Sequence, residues 1–389
     1  MDNFKPFLKI PTGVKDTLPK EAWQKRLLEN NLADLFHQWG YQEVATPTFE
    51  FYELLKEAGN PVEQLFNFID REGHILALRP DLTTPIARLV ATYLRNSLLP
   101  LRLFYTGSTY RYESIQTGRL REFSQAGVEL IGSQGVGADA EVIALAIEAL
   151  LACKLQFKIG IGQVLVTKGL IAQVVQDPSI FNQVKQAIIA KDFVELENIL
   201  DQHGCSREES FKLLELASLH GGKEVLTKAL TLSEDLDVIG ALKSLEEVYQ
   251  ILEKIGLASY VFFDFSILRD FEYYTGIVFE GYASGLGYPV CGGGRYDGLL
   301  SKFGLNYPAT GFALGLERVM LTQSSGIDSP QIDFLLTGSD YGTLLHKAKE
   351  LRSQGYSVEV DLQQLDQVQL EKYAREKEIK QILELNGEE

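Results

Sequence analysis

Apolar residues in the first forty positions recur with the spacing of an amphipathic helix. The run follows Thr17-Leu18-Pro19, where a proline suits the first helical turn, and it stops at Gly40. Large apolar side chains repeat every three or four residues in between. These are Trp23, Leu27, Leu28, Leu32, Leu35, Phe36 and Trp39. The pattern predicts one long helix with a single buried face.

Short apolar runs after this helix predict β-strands. They occupy residues 41–45, 65–69, 75–78, 101–105, 127–131 and 157–161. The second and third runs flank Arg71-Glu72-Gly73 and are predicted to form a hairpin, because a glycine turn between two apolar runs is typical of one. A further helix is predicted from Asp139 through Leu151. Strands paired in hairpins with helices beside them indicate an α+β fold.

The pattern changes between residues 170 and 256 to helical periodicity with almost no strand signal. Strand runs return at residues 260–265, 274–281 and 288–291, just before a glycine-dense segment at residues 292–298. We therefore expect a core made of residues 1–169 and 257–321, interrupted by a helical insertion at residues 170–256.

A third region follows Thr322-Gln323-Ser324-Ser325-Gly326, whose composition is typical of a linker. The pattern beyond it predicts two strands and two helices in alternation, at residues 332–336, 344–353, 356–360 and 368–379. Residues 326–389 contain 7 basic and 13 acidic residues. Residues 327–389 are thus expected to form a small acidic α/β domain.

Composition narrows the class of protein. The chain has 389 residues, of which 45% are hydrophobic and 23% charged, and no run approaches 18 consecutive apolar residues, so we expect no membrane span. The start of the chain has no secretory signal pattern. Three cysteines (Cys153, Cys205 and Cys291) and five histidines show neither disulfide nor metal-ligand spacing. The expectation is a cytoplasmic protein without a metal site or cofactor.

The net charge of −16 weakens any interpretation in which most of the surface binds nucleic acid. Phosphate binding draws its affinity from clustered lysine and arginine, and here acidic residues outnumber basic ones by 53 to 37. A local basic pocket remains compatible with this balance.

One candidate pocket lies in a predicted hairpin. Residues two apart on a strand face the same way, so Arg111 and Glu113 are placed to line one surface, together with Gln125, Gly127 and Glu129 on the returning strand. Arginine suits an anionic ligand, because its planar fork gives directed hydrogen bonds to carboxylate or phosphate. The alternative is a charged hairpin that forms salt bridges with itself.

Two further segments combine arginine with aromatic or small residues. Arg269 precedes Tyr273-Tyr274, and Arg318 ends the segment that begins at Gly311. Such tyrosines are more often core aromatics than ligand contacts, and the glycine-rich segment is equally compatible with a helix packed under a sheet. Each segment alone is weak evidence for a binding site.

The order of these segments resembles the catalytic core of class II histidyl-tRNA synthetase. The matching motifs run from Arg79-Pro80-Asp81-Leu82-Thr83-Thr84 through the hairpin, the Arg269 segment and the loop Gly292-Gly293-Gly294-Arg295-Tyr296-Asp297-Gly298-Leu299 to the Gly311–Arg318 ending. They span residues 13–320, and five motifs in one order make the resemblance specific. It implies an antiparallel sheet flanked by helices and a homodimer formed through the first long helix and the strand after it.

The resemblance also implies roles for individual residues. Positions that hold histidine in that family correspond here to Asp81, Thr83, Gln125, Glu129, Arg269, Tyr273 and Tyr274. Positions around the ATP phosphates correspond to Arg111, Glu113, Arg119 and Arg318. Acids for an amine, a cation for a carboxylate and aromatic walls for an imidazole make a consistent pocket.

Two departures from the synthetase pattern alter the expected function. Asp270 stands beside Arg269 where the synthetases have glycine, and its charge opposes the approach of anionic reactants. Met320 is followed only by the 69 residues 321–389, where the synthetases carry an anticodon-binding domain of about a hundred residues. A truncated acidic domain is poorly suited to reading an RNA loop, so no tRNA partner is expected.

Both departures fit a related family, the regulatory subunits of ATP phosphoribosyltransferase. The likeness implies a non-catalytic protein without catalytic residues, which regulates a glycosyltransferase in the first step of histidine biosynthesis. It also implies a hetero-octamer with a short catalytic subunit and feedback inhibition by histidine. Histidine inhibits through linkage if it binds one quaternary state better than another. Two alternatives remain: an active histidyl-tRNA synthetase with a shortened C-terminal domain, and a stand-alone histidine or nucleotide sensor.

Overall fold

The computed structural model describes residues 8–113, 120–268, 273–323 and 330–385. The chain divides into two compact units. One contains Met1–Asp16 and Lys25–Ser324, and the other contains Thr17–Gln24 and Ser325–Glu389.

Helices of the described residues occur before, within and after the strand-rich core. They are α1 (Pro19–Gln38), α2 (Tyr52–Glu57), α3 (Thr83–Leu89), α4 (Val136–Ala152), α5 (Val164–Val174), α6 (Pro178–Ala190), α7 (Phe193–Gln202), α8 (Arg207–Ser218), α9 (Glu224–Ala229), α10 (Leu236–Lys254), α11 (Leu316–Thr322), α12 (Tyr341–Ser353) and α13 (Gln367–Glu376).

Strands of the described residues form three sheets. They are β1 (Gln42–Glu43), β2 (Phe49–Phe51), β3 (Asn67–Ile69), β4 (Ile75–Leu78), β5 (Leu101–Tyr110), β6 (Glu122–Ile131), β7 (Phe157–Gln163), β8 (His220–Gly221), β9 (Val261–Asp264), β10 (Ile277–Ala283), β11 (Cys291–Arg295), β12 (Ala309–Gly315), β13 (Phe334–Thr337), β14 (Val358–Val360) and β15 (Gln381–Glu384).

The largest sheet has nine strands in the order β1-β5-β6-β12-β11-β10-β7-β9-β8. Most neighbours are antiparallel, as predicted, whereas β1 pairs with β5 and β7 pairs with β9 in parallel. Strand alternation separates two faces. Phe104 and Val128 belong to the main hydrophobic core, whereas Leu103 and Tyr105 face a second cluster on the other side. The mixed sheet with flanking helices confirms the predicted α+β class.

The first predicted helix is confirmed as α1. It buries Leu28, Leu32 and Phe36 against the main core, while the rest of its surface is largely polar. Gly40 ends the segment with a φ of 81°, a left-handed conformation that glycine adopts without a steric penalty.

The predicted insertion is mainly helical, and its helices begin at recognisable caps. The Asp177 side chain accepts from backbone N–H groups at the start of α6, with Pro178 in the first turn, and Ser206 and Glu209 form a capping box at α8. The segment also contains β8, a two-residue strand that the sequence pattern does not predict. It pairs with β9 and so becomes the edge of the large sheet.

A small second sheet exposes aromatic residues on one face. Its strand order is β2-β4-β3, and the predicted hairpin of residues 65–69 and 75–78 is confirmed as β3 and β4. Phe49, Phe51 and Phe68 are 51%, 54% and 41% exposed. The rings of Phe49 and Phe68 meet edge to face at 6.0 Å between centroids. We call these three residues the aromatic face.

The C-terminal residues form a parallel sheet in the order β14-β13-β15. The predicted strands and helices of this region are confirmed as β13, α12, β14 and α13. The last strand, β15, was not predicted, because its four residues follow a charged segment and show no clear alternation of apolar and polar residues.

No helix among the described residues combines the length and the apolar character needed to cross a bilayer.

Candidate functional site

A buried carboxylate, Glu129, lies at the centre of the candidate site. It stands on β6 opposite Gly311 of β12, on the face of the sheet away from the main core. The Thr83 hydroxyl donates to Glu129 Oε1 at 2.7 Å, and the Tyr296 hydroxyl donates to Oε2. A hydrogen bond with Tyr105 completes the set. Three hydroxyls therefore fix the orientation of one carboxylate.

Burial raises the pKa of Glu129 to about 8, despite the hydroxyl donors that lower it. The charge of Asp81 acts in the same direction as burial. Desolvation penalises the ionised form, so the carboxyl group is poised to hold a proton until a cationic partner arrives. Burial likewise raises the pKa values of Tyr105 and Tyr296, and both hydroxyls stay protonated as donors.

A second buried carboxylate, Asp81, lies at the start of α3. The backbone N–H of Thr84 donates to Asp81 Oδ1 at 2.7 Å. Burial raises the pKa of Asp81, whereas this hydrogen bond and the charge of Arg111 lower it. A carboxylate held beside the first turn of a helix is stabilised by the free N–H groups there.

The two carboxylates line one cavity of about 30 Å³. Six of the seven residues predicted to bind histidine are brought together there; Arg269 lies outside the described residues. These six are Asp81, Thr83, Gln125, Glu129, Tyr273 and Tyr274. The cavity is smaller than an amino acid, so a ligand of that size must displace side chains to enter.

Sequence reasoning missed Tyr105 and Tyr296, which both line this cavity. Tyr296 was visible in the glycine-rich loop, but its hydrogen bond to Glu129 joins residues 167 positions apart. Tyr105 lies on the predicted strand 101–105. Residues two apart on a strand face the same way, so Tyr105 faces the site on the same side as Leu103.

Gly311 lines the cavity, and Gly127 lies next to the cavity residue Tyr105. A Cβ at Gly311 would collide with the Glu129 carboxylate and the carbonyl oxygen of Val128. A Cβ at Gly127 would lie 2.5 Å from the Tyr105 hydroxyl. These positions have no room for a side chain, and the bare backbone lets a ligand approach the sheet closely.

A buried ion pair anchors the loop that carries Tyr296. Arg295 Nε donates to Asp139 Oδ1 at 3.0 Å, and Arg295 Nη1 lies 3.1 Å from Asp297 Oδ1. Asp297 in turn accepts from the backbone N–H of Ala309 at 3.0 Å. This network fixes the loop between β11 and β12, and with it the direction of the Tyr296 hydroxyl.

Aromatic rings form one wall of the cavity. The rings of Tyr273 and Tyr274 are 4.9 Å apart between centroids, and Tyr273 meets Tyr296 at 5.8 Å. All three residues are buried. They supply an apolar surface with hydroxyl groups at its rim, which suits a flat ring that carries polar atoms.

The predicted anion pocket is only partly assembled. Arg111 lines the cavity, and its Nε donates to the carbonyl oxygen of Pro80 at 2.9 Å. Arg111 Nη1 lies 3.8 Å from Glu113 Oε1. Arg318 instead donates to the carbonyl of Pro289 at 2.8 Å and lies over the ring of Tyr288. Arg119 lies outside the described residues. Glu113 lies beside Arg111, as expected, although β5 already ends at Tyr110 and the two residues therefore do not share a strand.

One group of potential metal ligands occurs in the described residues, in the turn between β3 and β4. Asp70, Glu72 and His74 bring ligand atoms within 4.8 Å of one another. Asp70 Oδ1 accepts from the backbone N–H groups of Glu72 and His74 at 2.8 Å each. These hydrogen bonds are those of an ordinary turn, and the group takes no part in the candidate site.

The arrangement suits a small cationic and aromatic ligand. Two buried carboxylates attract an ammonium or imidazolium group, the tyrosines offer a surface for a ring, and Arg111 brings a positive charge to the same cavity.

Comparison with known proteins gives a consistent result. A model of the histidyl-tRNA synthetase family matches residues 13–319. The chain is 50% identical over 359 residues to an ATP phosphoribosyltransferase regulatory subunit of Moorella thermoacetica, and the match covers 91% of this chain and 92% of the relative.

Solved structures with the same fold cover nearly the whole chain. A crystal structure from Bacillus halodurans, described as an ATP phosphoribosyltransferase regulatory subunit/histidyl-tRNA synthetase, superposes with a TM-score of 0.89 at 34% identity and covers 99% of this chain and 100% of that one. A histidyl-tRNA synthetase from Nostoc superposes with a TM-score of 0.83 at 22% identity, covering 98% and 92%. At that identity the second structure supports the fold alone.

Proposed function

The chain belongs to the histidyl-tRNA synthetase-like family of ATP phosphoribosyltransferase regulatory subunits, and we propose that it is a non-catalytic subunit which senses histidine. In this role it is required by a short catalytic subunit and confers feedback inhibition by histidine on the first step of histidine biosynthesis. The regulated enzyme is a glycosyltransferase, and the three free cysteines fit a reducing cytoplasm.

The observation that carries this proposal is the pair of buried carboxylates among tyrosines. Glu129 and Asp81 are both nearly inaccessible to solvent, and burial raises the pKa of each carboxyl group, to about 8 for Glu129. Histidine supplies an α-ammonium group and an imidazole, which together match two acids and an aromatic wall. Histidine that binds one quaternary state better than another shifts the equilibrium between them, which is the physical basis of feedback.

The same proposal accounts for the departures from synthetases. Asp270 follows Arg269 in the chain at a position where the synthetases have glycine, and it adds a negative charge to that segment. The C-terminal sheet is short and its region is acidic, which disfavours contact with an RNA backbone. We infer that histidine binding is retained in this chain, whereas activation of histidine and recognition of tRNA are not.

We also propose that the core forms a homodimer through α1, the strand after it and the aromatic face. Phe49, Phe51 and Phe68 lie together on one side of the small sheet, whose first strand is the next strand in the chain after β1. A cluster of half-exposed rings gains about 25 cal/mol for each Å² removed from water, and a second copy offers the matching surface. Two such dimers would join four catalytic chains in a hetero-octamer.

Isothermal titration calorimetry with histidine tests the sensor. We expect 1:1 binding to each chain of the assembled complex, and we expect Glu129→Gln to weaken it by about 30- to 100-fold, because a charged hydrogen bond is lost. Glu253→Gln, on the exposed face of α10, serves as the matched control and should bind histidine normally.

Two results would contradict the proposal. One is the absence of histidine binding in the complex, and the other is an unchanged affinity in Glu129→Gln. Attachment of histidine to tRNA by the purified chain at an enzymatic rate would instead favour a synthetase.

A further inference from the structure

A surface turn after α3 exposes large apolar side chains. Helix α3 continues into a π-helical turn at Val90–Leu94, and the backbone N–H of Ser97 then donates to the carbonyl oxygen of Leu94 at 3.0 Å. Tyr93 and Leu98, on either side of this hydrogen-bonded turn, are 79% and 93% exposed. Scattered exposed apolar residues are ordinary, but π-helical turns often occur at functional sites, so the two features together indicate an interaction surface.

A second loop packs against this turn and extends the surface. The Tyr307 hydroxyl donates to the carbonyl oxygen of Arg95 at 3.0 Å. The carbonyl oxygen of Pro308 accepts from the backbone N–H of Gly132 at 2.7 Å, and a Cβ at Gly132 would lie 2.6 Å from the side chain of Leu99. These contacts join residues 90–99 and 298–308 into one surface, which we call the Leu98 surface.

The Leu98 surface carries positive charge and contributes no carboxylate of its own. Residues 90–99 and 298–308 contain two exposed basic residues, Arg95 and Lys302, and no aspartate or glutamate. Among the described residues, neither of these side chains forms a salt bridge. Acidic residues outnumber basic ones by 53 to 37 over the whole chain, so this surface differs in charge from the molecule around it.

The charge of the Leu98 surface argues against a second copy of this chain as its occupant. In a symmetric contact the same patch meets itself, so Arg95 and Lys302 of one copy would face the same two residues of the other copy. Like charges held opposite each other oppose association. The complementary partner is therefore a different protein with an acidic and partly apolar surface.

One helical segment joins the Leu98 surface to the histidine site. Thr83, in the first turn of α3, donates to Glu129, and the π-helical turn follows α3 without a gap as far as Leu94. Val90 belongs to the same hydrophobic cluster as Tyr105, which also hydrogen-bonds to Glu129. A partner bound at the end of this segment would lie roughly 15 Å from Thr83 along the helix axis.

We propose that the short catalytic subunit docks on the Leu98 surface through an acidic patch flanked by apolar side chains. The exposed tyrosine and leucines bury apolar area against this partner, and Arg95 and Lys302 face its carboxylates. The inference rests on the proposed function, because it takes the partner from there and adds the surface that contacts it.

Calorimetry of the full-length chain with the catalytic subunit, at low and at high salt, tests this assignment. We expect Leu98→Asp and Arg95→Glu each to weaken the complex about tenfold or more, because each places a carboxylate against an acidic partner. Arg95→Lys keeps the charge and should bind within about threefold of the parent, since an exposed ion pair depends mainly on charge. Added salt should weaken the parent complex more than the Arg95→Glu complex.

Leu236→Asp is the matched control for the leucine substitution. Leu236 is the first residue of α10 in the helical insertion and is 83% exposed, so the change is equally exposed to solvent but lies outside the Leu98 surface. It should leave the affinity for the catalytic subunit unchanged. All variants should bind histidine like the parent and keep its oligomeric state in light scattering, which also shows that they are folded.

Two results would overturn the assignment and leave the proposed function intact. One is an affinity for the catalytic subunit that is unchanged in either Leu98→Asp or Arg95→Glu. The other is a change of oligomeric state in Leu98→Asp, which would make the surface a contact between copies of this chain. A parent chain that does not bind the catalytic subunit at all would instead contradict the proposed function and this assignment together, so the two failures are distinguishable.

Discussion

At the residue scale, the chemistry of the site centres on Glu129. Thr83, Tyr105 and Tyr296 all hydrogen-bond to this carboxyl group, yet burial still raises its pKa to about 8. The position of Glu129 on the sheet face follows from strand alternation and was predicted from sequence. Its partners Tyr105 and Tyr296 could not be predicted in the same way, because they meet it through pairing of distant strands.

The raised pKa of Glu129 predicts a fall in stability as the pH rises. Between its usual pKa of 4.5 and about 8, the folded chain holds a proton on Glu129 that the unfolded chain has released. Unfolding therefore releases a proton in this window, and raising the pH favours the unfolded state. The free energy of unfolding should decrease across this window, by at most about 5 kcal/mol from this group.

Urea unfolding of the histidine-free chain at a series of pH values measures this effect. Glu129→Gln carries no titrating group at the position and should show a flatter profile. A parent profile that rises from pH 5 to pH 8, with no difference from the variant, would show that Glu129 is ionised throughout.

At the element scale, the predicted helices and strands were mostly confirmed where the periodicity was long or the apolar runs were bounded by turns. The helix α1 and the hairpin β3–β4 are examples. Strand β12 was not predicted as a strand. It contains Gly311 and Gly315, and glycines are more typical of loops or of helices packed closely against a sheet. Gly311 is instead needed where the strand passes beneath the ligand cavity, because a Cβ there would collide with Glu129.

Gly311→Ala tests this role of β12. A methyl group would collide with the Glu129 carboxylate and with the backbone of β6, so histidine binding should fall below detection and unfolding should become easier by about 1–3 kcal/mol. Calorimetry and urea unfolding measure the two effects.

Gly240→Ala is the matched control for this change. Gly240 lies within α10, and an added Cβ meets nothing within 4 Å. It should stabilise the chain by about 0.5–1 kcal/mol through helix propensity and leave histidine binding intact. Equal binding in the two variants would mean that the floor beneath Glu129 tolerates a side chain.

At the scale of the whole molecule, sequence patterns indicated the order of core, insertion and C-terminal region, but not how the elements meet. Strand β8 joins the large sheet from within the insertion, through a two-residue pairing that is too short for any periodicity. Strand β15, which pairs with β13 in the C-terminal sheet, was not predicted for a similar reason. Such short strands are determined by their neighbours and not by their own sequence.

The proposed homodimer predicts a specific effect of charge on the aromatic face. Phe51→Glu should shift the purified chain from dimer to monomer in size-exclusion chromatography with light scattering, because a carboxylate would be buried without a partner. Phe211→Glu, at a phenylalanine of α8 that is 61% exposed, should remain dimeric. A dimer that persists in Phe51→Glu would place the interface elsewhere.

The regulatory role is tested most directly by the rate at which a short catalytic subunit transfers the phosphoribosyl group to ATP. This rate is measured with and without this chain while histidine is titrated. We predict that the chain stimulates the reaction, that histidine then inhibits it, and that Glu129→Gln keeps the stimulation while raising the inhibitory histidine concentration by about 30-fold or more. No stimulation, or inhibition that is unchanged by Glu129→Gln, would contradict the claim that this chain is the histidine-sensing regulatory subunit.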